Sequence, residues 1–313
     1  MFVNNIREEK KMKKLYGVTI AMVTPLDAQE KPDLEAVKDL TEKLIAKGVH
    51  CLYPCGTTGE MLKLTLEERK AVAETVIKTA AGRVRVYIHV GADNAEHSLE
   101  LAKHAHGAGA DGVGIVTPQF FGCTPREMTN YYDEIASNLP DDFPIYMYGI
   151  PQCAANDILP EVAKDLFNRH PNIVGMKYSF LDMDRTNAYL DISPEFSVLH
   201  GCDRLFTSML ILGCEGTVSG VGGVMPEPFV HVYNAYQAGD LETAKKWQKA
   251  GREICTILKN GSNMAIFKAA LEYRGVKAGQ MRKPQMALPQ EEVDALNAQL
   301  AEYFAKWGID RKL

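Results

Sequence analysis

The chain has 313 residues, of which 46% are hydrophobic and 24% are charged, and its formal net charge is −5. This composition is typical of a globular protein with a large core, and the mixed acidic and basic residues, without a basic stripe, do not fit a nucleic-acid-binding surface. No apolar run is long enough to span a membrane, and the odd, scattered set of seven cysteines indicates reduced thiols in a cytoplasmic protein.

The first 14 residues are mostly polar and charged, and they contain no apolar segment that could serve as a signal peptide. Met12 precedes two lysines and could be an alternative start. The sequence therefore predicts an N-terminal extension over residues 1–14.

Short apolar runs recur at intervals of about 20 to 35 residues, and most are followed by a helical pattern. Capping boxes over Thr65–Glu68 and Thr124–Glu127 predict two helix starts, and Gly48 and Gly109 predict two helix ends. Eight βα units in succession predict parallel strands that close into a (β/α)8 TIM barrel. The predicted strands begin near Val18, Cys51, Val84, Gly112, Ile145, Ile173, Phe196 and Gly216.

Beyond the eighth strand the chain continues as helix, with helices predicted over Leu241–Lys259, Ser262–Arg274 and Glu291–Trp307. Because no linker rich in Pro, Gly or Ser precedes them, we expect one structural unit. Its barrel core covers residues 15–225, and residues 226–313 supply the last barrel helix and additional C-terminal helices. An open doubly wound sheet is the alternative, but it usually has a glycine-rich phosphate loop after the first strand, and none is present.

Cys51 and Cys55 lie four residues apart around the second predicted strand, a spacing that could suggest a metal site. No second pair of ligands follows at zinc spacing, so we expect both cysteines in the core and no bound metal. His89 and His200 lie on predicted strands and are also expected to be core residues, because no Ser-His-Asp pattern surrounds them.

The carboxyl ends of the strands carry the function in a barrel of this kind. The second strand ends in Cys55–Glu60, where two glycines permit a tight turn and the hydroxyls of Thr57 and Thr58 offer donors for a carboxylate. The alternative is a loop that only turns, with both threonines bonded to local backbone.

Two further strand ends stand out. The fifth strand ends in Tyr148–Pro151, and a phenol can both donate and accept a proton, although an aromatic that only fills the barrel is the commoner case. The eighth strand, Gly216–Gly223, is rich in glycine, which indicates either close approach of a ligand or a flexible loop.

Lys177 lies near the end of the sixth predicted strand. A lysine there needs something to offset its desolvation, and a desolvated amine is the nucleophile of Schiff-base enzymes. For an isolated lysine we would favour an ordinary surface residue, but the surrounding pattern reverses that preference. Alternation places Ile173, Gly175, Lys177 and Ser179 on one face, where Gly175 leaves room beneath the amine, and Val174, Met176 and Tyr178 on the other.

The segments Gly56–Glu60, Tyr148–Pro151, Gly175–Lys177 and Gly201–Asp203, in this order, resemble the motifs of the dihydrodipicolinate synthase/N-acetylneuraminate lyase family. The resemblance extends over nearly the whole chain, roughly residues 15–284. It implies a homotetrameric (β/α)8 barrel with extra C-terminal helices that binds a small keto acid as a lysine Schiff base. It implies no metal and no organic cofactor.

Position by position, the resemblance implies that Lys177 forms the imine and that Tyr148 relays protons. Thr57 and Thr58, with Gly56 before them, match the residues that bind the keto-acid carboxylate. Val218 matches the position whose backbone carbonyl faces the lysine. The positions that hold the rest of the substrate in the lyase branch are matched by Ser179, Gly201, Asp203 and Ser219.

The sequence departs from this pattern at three positions. Cys153 stands where the synthase branch has an arginine that grips an amino-aldehyde carboxylate, and no thiol replaces such a bidentate contact. Phe120 stands where the family often has a tyrosine that reaches a neighbouring subunit's site. Arg204 follows Asp203 where the sialic-acid lyase has an acid; it could favour a substrate with a distal carboxylate, or it could face solvent.

These departures favour a class I aldolase or dehydratase that acts on pyruvate or a 2-keto-3-deoxy sugar acid. A 4-hydroxy-tetrahydrodipicolinate synthase, which joins pyruvate and aspartate semialdehyde, is the alternative within the family. The alternative of another class is a non-catalytic keto-acid-binding protein in which Lys177 and Tyr148 merely persist.

Overall fold

A computed structural model describes residues 12–261 and 263–313, so most of the predicted N-terminal extension lies outside the described residues. Eight parallel strands close into a barrel in chain order, which confirms the predicted fold, and each strand begins within one residue of its predicted start. The strands are β1 (Gly17–Ala21), β2 (Cys51–Tyr53), β3 (Arg85–His89), β4 (Gly112–Val116), β5 (Ile145–Gly149), β6 (Ile173–Tyr178), β7 (Ser197–His200) and β8 (Gly216–Ser219).

The helices surround the barrel and continue beyond it. Both predicted capping boxes are present, with Thr65 and Thr124 as the N-cap residues. None of the helices in the described part of the chain is long and apolar enough to cross a membrane. The helices are α1 (Leu34–Ala46), α2 (Leu66–Ala80), α3 (Ala95–Gly107), α4 (Pro125–Ala136), α5 (Pro151–Ala154), α6 (Pro160–Arg169), α7 (Met183–Leu190), α8 (Phe206–Leu212), α9 (Pro226–Gln237), α10 (Leu241–Ile257), α11 (Met264–Tyr273) and α12 (Gln290–Trp307).

The appended helices pack on the barrel. Leu296 and Leu300 of α12 belong to the same apolar core as the outward-facing residues of the strands. Helix α10 is shorter than predicted because Lys259 and Asn260 adopt left-handed backbone conformations, with φ of 49° and 53°.

The barrel interior has its own apolar cluster, to which Cys51, Tyr87 and Tyr146 contribute. At the amino-terminal end the segment before β1 closes the barrel. The N–H of Leu15 donates to the Tyr146 hydroxyl over 3.1 Å, and the Tyr87 hydroxyl donates to the carbonyl of Lys13 over 2.8 Å. The interior is therefore sealed at this end.

The predicted alternation along β6 is wrong at its start. The register between β5 and β6 shifts next to Ile145, so that Ile173 packs against the helices and Val174 faces the interior. Beyond the shift the alternation is as predicted, and Lys177 pairs with Tyr148. A β-carbon on Gly175 would lie 1.9 Å from the Ser197 carbonyl, so glycine permits the approach of β7 here rather than leaving room beneath the lysine.

Candidate active site

Lys177 lies at the carboxyl end of β6 and is 5% exposed. Its amine lies 3.9 Å from the ring centroid of Tyr148, which is the neighbouring residue on β5, and 5.4 Å from the ring centroid of Tyr53. These contacts are with aromatic faces, which attract an ammonium group but do not neutralise it as a carboxylate would. The amine is therefore desolvated, and it forms no ion pair with a carboxylate of residues 12–261 or 263–313, as a Schiff-base nucleophile requires.

The loop after β2 turns sharply, but not at its glycines. The left-handed residues are Cys55 and Glu60, with φ of 63° and 61°. Gly59 allows a close approach instead, because a β-carbon there would lie 3.1 Å from both the Met22 carbonyl and the Thr24 hydroxyl, which is a tight contact. The Thr24 hydroxyl donates to the carbonyl of Gly59 over 2.8 Å and so anchors the loop to the end of β1.

The same loop presents an unused hydroxyl. Within the part of the chain that the structure describes, Thr57 Oγ1 is buried and has no hydrogen-bond partner, so Thr57 is not bonded to local backbone. Thr58 is half-buried and faces β8, where its hydroxyl would lie 3.0 Å from a β-carbon on Gly220. A buried hydroxyl without a partner is unfavourable by about 1–3 kcal/mol, which a bound carboxylate would relieve.

Glu60, the last residue of this loop, forms a buried charge cluster that the sequence did not reveal. One carboxylate oxygen lies 2.8 Å from Lys268 Nζ of α11, and the other lies 2.7 Å from Lys63 Nζ. The backbone N–H of Arg282 also donates to Glu60, over 3.2 Å. Burial lowers the pKa of Lys268, and the Glu60 carboxylate opposes that shift. The C-terminal helices thus fix the position of the threonine loop.

On the opposite side of the mouth, Asp203 is buried at the end of β7. Its carboxylate accepts a hydrogen bond from the Thr217 hydroxyl over 3.1 Å. Burial raises the pKa of Asp203 to about 6, against the opposing effects of the Ser219 and Thr217 hydroxyls and the charge of Lys177. Asp203 therefore loses its proton at a higher pH than an exposed aspartate does, and the charge of Lys177 acts on it.

The remaining predicted site residues lie around this aspartate and inside the barrel. Gly201 must be a glycine, because a β-carbon would lie 2.0 Å from Ser179 Oγ. Ser219 is fully buried and its hydroxyl accepts the N–H of Gly222 over 2.7 Å. Val218 lies in the interior cluster, 2% exposed.

Two cavities open at this end of the barrel. The first, of about 620 Å³, is lined by residues that include Thr57, Glu60, Val116, Gln119 and Cys153. The second, of about 530 Å³, is lined by residues that include Gln152, Ser179, Gly201, Asp203 and Arg204. Helix α5 borders both, since its consecutive residues Gln152 and Cys153 line the second and the first cavity, respectively. The predicted threonine side and the predicted substrate-holding side therefore both lie at the carboxyl end of the barrel, which is the mouth of the site.

The three departures all lie at this mouth. Cys153 is exposed on α5, and Phe120 is 83% exposed with a left-handed φ of 73°. Arg204 is exposed, yet it lines the second cavity, where its Nη1 donates to Thr256 Oγ1 and Asn260 Oδ1 over 3.1 Å each.

The two strand histidines are buried, as expected. Burial lowers the pKa of His200 to about 4 and that of His89 well below its usual value, with the charges of Arg69 and Lys177 adding to the effect on His89. Among the described residues, His89 Nε2 and Gln119 Nε2 have no hydrogen-bond partner. Sequence reasoning did not identify Gln119, because a glutamine after a strand carries no distinctive pattern.

The chain is similar to known proteins over almost all of its length. The Dihydrodipicolinate synthetase family matches residues 14–303. An N-acetylneuraminate lyase from Mediterraneibacter gnavus is 31% identical over 290 residues, which are 91% of this chain and 91% of that protein. A 4-hydroxy-tetrahydrodipicolinate synthase from Methanospirillum hungatei is 30% identical over 92% of this chain and 99% of that protein. A solved structure of a dihydrodipicolinic acid synthase family protein from Escherichia coli K12, in complex with pyruvate, superposes with a TM-score of 0.88 at 26% identity, covering 92% of this chain and 98% of that one.

Proposed function

This chain belongs to the dihydrodipicolinate synthetase family and is a lyase, and we propose that it cleaves or dehydrates a 2-keto-3-deoxy sugar acid through a Schiff base on Lys177. The observation that carries the proposal is the desolvated amine of Lys177, held against the Tyr148 ring at a mouth that also contains the unpartnered hydroxyl of Thr57. The similarity to an N-acetylneuraminate lyase supports a sugar-acid substrate.

The proposed reaction begins when the neutral amine of Lys177 attacks the keto carbon of the substrate, and loss of water leaves a protonated imine. The C3–C4 bond then breaks, and its electron pair passes to the imine, which becomes an enamine. The C4 hydroxyl loses its proton, so that C4 leaves as an aldehyde. Protonation at C3 and hydrolysis of the imine then release pyruvate. In the dehydratase variant, C3 loses a proton and the C4 hydroxyl leaves as water.

Tyr148 would carry the proton between the substrate and solvent, because its ring lies against the amine and a phenol can both donate and accept. Such a role is worth about 10²–10⁴-fold in rate. Thr57 and Thr58, with the backbone at Gly56, would hold the C1 carboxylate so that the keto carbon stays within reach of the amine. The carbonyl of Val218 would face the amine from β8.

The second cavity would hold the rest of the substrate. Ser179 and Asp203 line it and offer a hydroxyl and a carboxyl group, which suit a chain of sugar hydroxyls. Gly201 also lines this cavity, and the buried Ser219 would act through its hydrogen bond to Asp203. A synthase would need a guanidinium to bind the amino-aldehyde, and this chain has Cys153 at that position. The Phe120 side chain also has no hydroxyl. Both positions therefore favour the aldolase or dehydratase.

Borohydride trapping tests the covalent step. The protein is incubated with pyruvate and sodium borohydride, digested and analysed by mass spectrometry; we expect a reduced adduct on Lys177 and none in Lys177→Met. Lys268 is an internal control, because it is as buried as Lys177 but is paired with Glu60. Retained pyruvate without an adduct would instead identify a binding protein.

A substrate panel then separates the two enzymatic alternatives. We expect pyruvate release from 2-keto-3-deoxy sugar acids. Consumption of pyruvate with aspartate semialdehyde, without cleavage or dehydration of any sugar acid, would identify the synthase.

We also propose that the enzyme is a homotetramer, as the resemblance implies. Phe120 and Phe121 are 83% and 75% exposed and pack edge-to-face against each other. An exposed aromatic pair is a surface that association would bury. Analytical ultracentrifugation measures the state directly, and a monomer at micromolar concentration would contradict it.

A further inference from the structure

The second cavity is lined by a cation, Arg204, that no carboxylate of the described residues neutralises. Arg204 donates from Nη1 to two neutral oxygens, those of Thr256 and Asn260, and takes part in none of the ion pairs formed within residues 12–261 and 263–313. The carboxyl of its chain neighbour Asp203 is directed instead to Thr217 and Ser219. The guanidinium therefore retains its charge and its other donors for a ligand.

The backbone after α10 is strained in a way that positions this guanidinium. Lys259 and Asn260 are consecutive non-glycine residues in the left-handed region, at φ of 49° and 53°. Such conformations are unfavourable by about 1–3 kcal/mol each and persist where the surrounding structure requires them. Here the strained turn places the Asn260 side chain on Arg204, and both residues line the second cavity.

The cation of the first cavity is arranged differently. Lys63 lines that cavity and contacts the carboxylate of Glu60, which also lines it. This lysine therefore already has an anionic partner, whereas Arg204 contacts only neutral oxygens among the described residues.

The order of groups along the mouth matches a particular substrate. Ser179, Asp203 and Arg204 line the second cavity. Ser179 follows Lys177 by two residues at the end of β6, and the charge of Lys177 acts on the Asp203 carboxyl, so the amine lies beside this cavity. A bound molecule that has its keto group at Lys177 and its hydroxyls at Ser179 and Asp203 would place its far end at Arg204.

The far end should carry a single negative charge. A guanidinium binds a carboxylate through two parallel hydrogen bonds. Among the described residues that line this cavity Arg204 is the one cation, and a single guanidinium matches a carboxylate better than a phosphate dianion. The apolar residues Phe180, Leu205 and Val221 also line this cavity and would exclude water, which strengthens the contact.

We propose that Arg204 binds a distal carboxylate, and that the substrate is a 2-keto-3-deoxy dicarboxylic sugar acid with a carboxylate at each end. This inference rests on the proposed function and names its substrate class. Cleavage between C3 and C4 then gives pyruvate and an aldehyde acid, whose carboxylate remains at Arg204 until it is released.

The test compares two substrates of equal length, a 2-keto-3-deoxy sugar acid that ends in a carboxylate and one that ends in a hydroxymethyl group. For the wild type we expect kcat/KM to be about 10- to 100-fold higher for the dicarboxylic acid, since hydrogen bonds to charged groups have that strength. In Arg204→Met the ratio of the two kcat/KM values should fall by the same factor, and Arg204→Lys should restore only part of it.

Arg252→Met is the matched control. Arg252 is an exposed arginine of α10, one turn from Thr256, and it does not line the second cavity. Its replacement removes the same charge from the same helix region, so the substrate ratio should stay at the wild-type value. If the ratio of the two kcat/KM values falls equally in both arginine variants, the effect comes from the loss of positive charge in this region and not from a contact with Arg204. That result would overturn the proposal.

Borohydride trapping of pyruvate, carried out in parallel, tests the Schiff base on Lys177 separately from the role of Arg204. An adduct on Lys177 together with equal kcat/KM for the two acids would overturn the role of Arg204 and leave the Schiff-base function standing. No adduct and no reaction with either acid would overturn both.

Discussion

Inside the barrel the two ends differ in how their polar groups are bonded. At the closed amino-terminal end the hydroxyls of Tyr87 and Tyr146 both have protein partners. At the open carboxyl-terminal end Thr57, His89 and Gln119 each keep a buried polar atom without a partner among the described residues. Since buried polar groups are normally hydrogen-bonded, the carboxyl-terminal end is where a ligand is expected, whereas the bonded tyrosines of the other end contribute stability.

Tyr148→Phe tests the open end and should have the largest effect. Removal of the hydroxyl should lower kcat/KM by about 10²–10⁴-fold, because proton transfer loses its carrier, whereas the free energy of unfolding should change little. The measurement is pyruvate release with a 2-keto-3-deoxy sugar acid, alongside urea denaturation. A loss of activity smaller than about tenfold would remove Tyr148 from the proton-transfer steps.

Glu60→Gln tests whether any part of the open end is built for stability. The substitution leaves the Lys268 ammonium buried opposite a neutral amide, and breaking such a buried pair is unfavourable by about 3–5 kcal/mol. Urea denaturation should show this loss. Glu60→Gln combined with Lys268→Met removes both charges and should recover much of it. If the double variant is no more stable than the single variant, the pair is not what anchors the threonine loop.

The pH dependence of stability sharpens the comparison at Asp203. Burial raises its pKa from 3.8 to about 6, so the folded protein holds this proton more tightly than the unfolded chain does. The protonated Asp203 carboxyl therefore makes its full contribution to the free energy of unfolding below about pH 4. This contribution is lost as the pH rises to about 6, which is a change of about 3 kcal/mol. Asp203→Asn lacks the ionisable group. The wild type should therefore lose stability relative to Asp203→Asn between pH 4 and 7 in urea denaturation, and a constant difference would show that the aspartate is charged throughout.

The features that local pattern determines could be predicted from the sequence. Eight strand starts follow from apolar runs, and the caps at Thr65 and Thr124 follow from short motifs. The position of Lys177 beside Tyr148 follows from the rule that strand ends converge at one face of a barrel.

The features that depend on contacts between distant segments could not be predicted. The register shift that turns Ile173 outward arises from the pairing of two strands, not from β6 alone. The ion pair of Glu60 and Lys268 and the hydrogen bond of Arg204 to Asn260 join segments that are far apart in the chain. Neither contact has a local signal, because glutamate, lysine and arginine are common on any surface.

Tyr146→Phe tests the closed end and should have the smallest effect. Tyr146 precedes Tyr148 by two residues on β5, but its hydroxyl donates to Ser197 and accepts the N–H of Leu15, so it is part of the seal. Its loss removes two hydrogen bonds and should lower the free energy of unfolding by about 1–2 kcal/mol. Leu15, Tyr146 and Ser197 line neither cavity, so kcat/KM should stay within about twofold of the wild type. A change of about twofold corresponds to less free energy than one hydrogen bond contributes. A large loss of activity with unchanged stability would mean that the two ends of the barrel are coupled, and that the division between a stabilising end and a reactive end is wrong.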